Sequence, residues 1–205
     1  MLFGGLDGSS LEVRAARNGR RRLRGRFPYN SRAVLSDGGR NGRPRKEQFA
    51  PGAFTHSIDS DAEIHLLAGH SFDRPLASKN SGSLTFLDSA EALIFDAEIS
   101  PDVAETSYAS DLFRLIAAGL VFGISPGFRI PPPAAVPPEE AEQVEEEDPE
   151  EGRALVRTIF QAVLFEFSIV TRPAYPAAQV EARNWQTSES GLAMPRPNAL
   201  ARWRL

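Results

Sequence analysis

The sequence contains no cysteine, so disulfides, thiolate metal sites and a cysteine nucleophile are all excluded. That suits an intracellular protein without requiring one. No run of about 20 apolar residues is present, so no helix is available to span a membrane. The opening "MLFGGLDGSSLEV" has no basic stretch followed by an apolar one, and no secretory signal is expected. What remains is an ordinary globular balance, with 41% hydrophobic and 24% charged residues. At 205 residues the chain suffices for one domain with a proper core and is short for two. The net charge of −4 hides an asymmetry, because arginine crowds residues 14–26 and acid crowds 139–151.

Residues 1–10 are glycine-rich and read as a loose end. "RRLRGRFPYNSRAV" reads as a surface strand with Leu23 and Phe27 on one face and arginines along it, and "SDGGRNGRPRK" as a turn-rich loop. A short helix is expected after Pro51, and "EIHLLAGHSF" predicts a buried strand ending at Gly69. "GSLTFLD" and "ALIFDAEI" predict a hairpin, with Leu93, Phe95, Ala97 and Ile99 sharing a face. Ser100-Pro101 is a helix start, because serine caps free amides and proline fits the first turn. Tyr108, Leu112, Leu115 and Ile116 then follow at helical spacing, and Gly119 stops them. "LVFGIS" returns to strand. Residues 131–152, proline-rich and then acidic, predict a disordered insert; a docking segment for a basic polypeptide or for the chain's own arginines is the functional alternative. "ALVRTIFQAVLFEFSIVTRPAYP" resumes as one or two strands, and 183–205 reads as a flexible tail. Strand and helix do not alternate, so the expected class is α+β, mainly antiparallel, as a sheet or closed barrel with few helices.

Three residues stand out. In "VLFEFSIV" strict alternation puts Val163, Phe165, Phe167 and Ile169 on one face and Leu164, Glu166, Ser168 and Val170 on the other. Glu166 is thus a carboxylate among apolar neighbours, and such a charge needs a partner. Arg157 or another base could supply it structurally. In "LVFGISPGF", Val121, Gly123 and Ser125 share a face, and Gly123 leaves space beside the hydroxyl. Read alone, Ser125 fits a strand end before a Pro-Gly turn better than it fits a nucleophile. His70, after Gly69, could take and return the serine proton. His65 is the rival base, five residues away and so on the opposite face of a continuous strand. A serine needs a base, and a carboxylate stabilises the imidazolium that forms, the role open to Glu166. A metal site from His65, His70 and Asp73 is the rival chemistry, though no clear third ligand supports it. The arginine cluster lacks the aromatic interleaving of a nucleic-acid site.

Taken in order, "RLRGRFPYNS", "EQFAPGAFTHSI", "IHLLAGHSFDRPLA", "GSLTFLDSAEALIFDAEI", "LIAAGLVFGISPGF" and "LFEFSIVTRPAYPAAQV" resemble the prohead (capsid maturation) serine proteases of tailed bacteriophages. Those enzymes are distantly similar to herpesvirus assembly proteases. The resemblance implies a protease domain over 11–182 with a herpesvirus-protease-like β-barrel ringed by helices. It implies Ser125 as nucleophile, His70 as base and Glu166 as third member. The implied substrates are capsid and scaffold polypeptides, cut in the host cytoplasm inside the assembling prohead. No cofactor, metal, membrane or specific nucleic acid is implied, and homo-oligomerisation is left open. Pro126, after the nucleophile, has no N–H, so the oxyanion donors are expected at Gly127, Phe128 or Arg129. A non-catalytic assembly module with the same barrel is the alternative function.

Overall fold

The computed structural model describes residues 12–15, 20–40, 42–173 and 175, and the flexible ends expected at 1–10 and 183–205 lie outside them. In chain order, β1 (Glu12–Ala15), β2 (Arg21–Pro28), β3 (Ala33–Ser36) and β4 (Arg45–Phe49) lead to the short helix α1 (Thr55–Asp59). Next come β5 (His65–Ala68), β6 (Ser71–Ser78), β7 (Leu84–Asp88) and β8 (Ala92–Ile99). Two helices, α2 (Pro101–Ala104) and α3 (Ser107–Ala117), precede β9 (Gly123–Arg129). The chain then forms α4 (Pro138–Ala141), β10 (Glu142–Glu146), β11 (Leu155–Ile159) and β12 (Val163–Val170).

The strands hydrogen-bond as three four-stranded sheets, ordered β1-β2-β8-β7, β10-β11-β4-β3 and β6-β5-β12-β9. Pairing is mostly antiparallel, with parallel pairs at β11–β4 and β12–β5. The α+β class holds. Among the described residues no ladder joins the sheets into a closed barrel, so the barrel implied by the resemblance is not what the hydrogen bonds form.

One core serves all three sheets. Phe27 of β2 lies 5.5 Å from Phe49 of β4 and 5.9 Å from Phe167 of β12, and Phe95 of β8 lies 5.6 Å from Phe167. Alternation explains β2: Leu23 and Phe27 point inward while Arg22 and Arg24 face water beside Glu98 and Asp96 of β8. The arginine face is therefore largely met by the chain's own acids. Gly25 sits between the inward residues because a Cβ there would lie 2.3 Å from the Phe95 ring and 2.6 Å from Ile124. The sheets could not approach so closely around a larger residue.

The helix after Ser100 is broken in two. Ser100 Oγ accepts the Val103 N–H, as its position suggests, but Thr106 is extended and its hydroxyl donates to the Val103 carbonyl. That hydrogen bond closes α2.

Over 131–152, where a disordered insert is expected, the chain carries α4 and β10. β10 pairs antiparallel with β11, although Val144 is 60% exposed and the strand buries little apolar surface. Charge supplies what hydrophobicity does not. Glu146 pairs with Arg43 at 2.7 Å, Glu142 with Arg157, and buried Glu147 with Lys46 and Arg32. Glu147 also accepts the Ala154 N–H at 3.1 Å. The hydrogen bonds from Arg43 and Lys46 hold the carboxyls of Glu146 and Glu147 below their ordinary value of 4.5. Depressed values mean stability that is present above that pH and lost as the pH falls below it. Amide hydrogen exchange in β10 should therefore accelerate between pH 5 and 3 relative to β5, and by less in high salt, which already weakens these ion pairs at the upper pH. Equal acid response of the two strands would contradict this account.

Candidate active site

β5 and β6 are joined by the two residues Gly69 and His70, flanked by the Ala68–Ser71 pair. Both have positive φ, 66° and 58°. That is the backbone of a type I′ hairpin turn, whose central positions favour glycine and asparagine. Glycine adopts it freely, whereas an imidazole-bearing residue at this φ is uncommon and costs conformational energy. The turn lifts the ring to a half-exposed position, 48% by side chain. Nδ1 lies 2.7 Å from Glu166 Oε1.

Glu166 comes from β12, the strand between β5 and β9. A β-bulge alters the strict alternation expected there, because Leu164 and Glu166 face successive residues Phe128 and Gly127 of β9. The extra residue, Phe165, turns out toward solvent, while Leu164 and Phe167 both enter the core. Leu164 therefore does not share a face with Glu166. The carboxylate, 2% exposed, lies flat over Gly127, where a Cβ would come within 2.1 Å of Oε1. Its second oxygen accepts the Ser168 hydroxyl at 2.7 Å. Among the described residues no arginine reaches it: Arg157 binds Glu47 and Glu142 instead.

Ser125 sits on β9 directly across from Ser168. Paired residues of an antiparallel ladder project to the same side, so Ser125, Ser168, Glu166 and Gly127 share one face. Ser125 is 7% exposed, and its hydroxyl makes no hydrogen bond to another described residue. Pro126 and Gly127 do not turn the chain as expected. β9 continues to Arg129, since on an edge strand a proline need not cost a ladder bond. Gly127, Phe128 and Arg129 consequently run away from Ser125, with Arg129 about 13 Å further along at roughly 3.3 Å per residue. Phe128 meets the Phe49 ring edge to face, with centroids 4.9 Å apart. Of the three expected oxyanion donors, Gly127 lies two positions along on the face of Ser125, and Phe128 and Arg129 follow it along the strand.

His65 pairs in register with Glu166, yet its ring packs against Phe72 at 5.9 Å. Among the described residues no group of three or more His, Asp or Glu side chains is placed to hold a metal ion. A cavity of about 750 Å³ opens beside His70, between the β5–β6 turn and α3. Leu112, Val121 and Ile169 form apolar wall and Asp73, Arg74 and Arg172 charged wall; Ser125 does not line it. The residue that sequence reading passed over is Ser168. Its signal was available, since alternation places it on the Glu166 face two positions on.

A half-exposed imidazole backed by a buried carboxylate, on the sheet that carries an unpartnered serine, has the makings of a serine hydrolase. The family model described as Caudovirus prohead serine protease matches residues 29–191, a range that includes His70, Ser125 and Glu166. The chain belongs to that family and is accordingly a serine protease of the capsid-maturation class. No curated protein and no solved structure matches it. No helix among the described residues is long and apolar enough to cross a membrane.

Proposed function

We propose that the protein cleaves the scaffold and major capsid polypeptides of an assembling phage prohead in the host cytoplasm, using Ser125, His70 and Glu166. The observation that carries this reading is the 2.7 Å contact of His70 Nδ1 with buried Glu166, beside the face that bears Ser125. A carboxylate accepting at Nδ1 keeps the proton there, which leaves the Nε2 lone pair for the serine. Nε2 takes the Ser125 proton as Oγ attacks the scissile carbonyl carbon. The tetrahedral intermediate collapses with loss of the C–N bond, and the departing amine takes that proton from Nε2. Water, deprotonated by the same nitrogen, attacks the acyl ester, and Oγ leaves with the proton to restore the enzyme. Glu166 stays ionised throughout and stabilises the transient imidazolium. The cavity beside His70 offers room for substrate residues flanking the cut.

A fluorophosphonate probe tests this directly. Intact mass should show one adduct, peptide mapping should place it on Ser125, and the His70→Ala variant should label far more slowly. Coexpressed capsid and scaffold polypeptides should be cut by the unmodified protein alone. Labelling elsewhere, or processing that survives phosphonylation, would leave the assembly-module reading in its place.

A further inference from the structure

We infer that Ser168 is a positioning residue that fixes the histidine–glutamate couple through a single oxygen, an inference that rests on the catalytic reading above. Ser168 is wholly buried, at 0% exposure. Its hydroxyl donates to Glu166 Oε2 at 2.7 Å, and the same Oγ accepts the His70 backbone N–H at 2.8 Å. The ring of His70 is thus tied to Glu166 Oε1 while its main chain is tied, through Ser168, to Oε2. The three groups form a closed loop of hydrogen bonds.

Each link answers a specific need. Glu166 is buried without a cationic Lys or Arg partner among the described residues, so both oxygens need donors to keep the charge. With Oε1 given to the imidazole, Oε2 is served by Ser168. His70 holds a left-handed backbone, which persists only where its surroundings over-determine it. The Gly69 N–H donates to the Ile169 carbonyl at 3.1 Å, and the next N–H, that of His70, goes to Ser168. These two bonds moor the hairpin tip to β12. Ser168 lies across from Ser125, so its small side chain also leaves the nucleophile room.

The test compares Ser168→Ala, Ser168→Cys and Ser168→Thr with the unmodified enzyme on a peptide substrate. Losing a hydrogen bond to a charged group should cost Ser168→Ala about ten- to a hundredfold in kcat, with KM within about twofold. The downfield proton resonance of the His70 Nδ1–H should shift or vanish. Cysteine, with similar volume and a weak donor, should fall between alanine and serine. Threonine keeps the hydroxyl but brings a methyl to a wholly buried site facing Ser125, so it should recover only part of the loss. Three results would overturn the inference: kcat within threefold in Ser168→Ala, a change confined to KM, or a loss that follows only the folded fraction in every variant. If alanine prevents folding, the cysteine variant decides by the same kcat and resonance criteria. Failure of the catalytic reading itself is separate, and would appear as full activity in Ser125→Ala.

Discussion

Ser125→Ala should yield a folded protein whose peptide-bond cleavage is reduced by about three to six orders of magnitude. The magnitude follows from chemistry, since without Oγ no acyl-enzyme forms and only substrate binding and polarisation remain. The preserved fold follows from structure. The Ser125 hydroxyl makes no hydrogen bond to another described residue, and Ser125 is not one of the apolar residues of the shared core. Thermal midpoint and cleavage rate should therefore part company, with the first nearly unchanged and the second lost. A variant that processes capsid polypeptide at the normal rate would remove Ser125 from the mechanism. A variant that loses both together would make it a structural residue.

Glu166→Gln should be nearly as damaging, lowering the rate by about 10³- to 10⁴-fold at neutral pH. The amide is isosteric, so the close fit over Gly127 survives. It can, however, donate to Nδ1 and drive the imidazole proton onto Nε2, where it blocks acceptance from Ser125. Loss of the counter-charge also disfavours imidazolium, so the acid limb of the pH–rate profile should move to lower pH. A full pH profile separates the two effects, because the tautomer penalty persists on the plateau. A plateau within threefold of the unmodified enzyme would show that His70 works without its acid.

Much of this was readable along the chain. Glu166 announced itself as a carboxylate in an apolar strand, and it is buried with His70 as its partner. The β8 face of Leu93, Phe95, Ala97 and Ile99 is the inward one, and Gly119 ends α3 with φ at 70°. What escaped depended on partners remote in sequence. Nothing local marks Phe165 as a bulge, since neither glycine nor proline flanks it, yet one residue there changes which side chains Glu166 joins. The acidic insert looked disordered because composition counts apolar residues and takes no account of Arg43 and Lys46, about a hundred positions earlier. Pro126-Gly127 looked like a turn because that pair usually is one, and only an edge strand lets it stay extended. The left-handed backbone of His70 had no sequence cue, and the Ser168 bond that holds it could be seen only in three dimensions.

The order in which β12 and its neighbours are made has a further consequence. β12 is the last strand of the described chain, and it inserts between two that precede it, β5 and β9. Before it is in place, His70 has no acid beneath it and Ser125 faces an empty lane. A half-synthesised polypeptide thus carries its base and its alcohol with no means of coupling them. On the catalytic reading proposed above, peptide-bond cleavage starts only once the closing strand is inserted, a timing safeguard that requires no inhibitor.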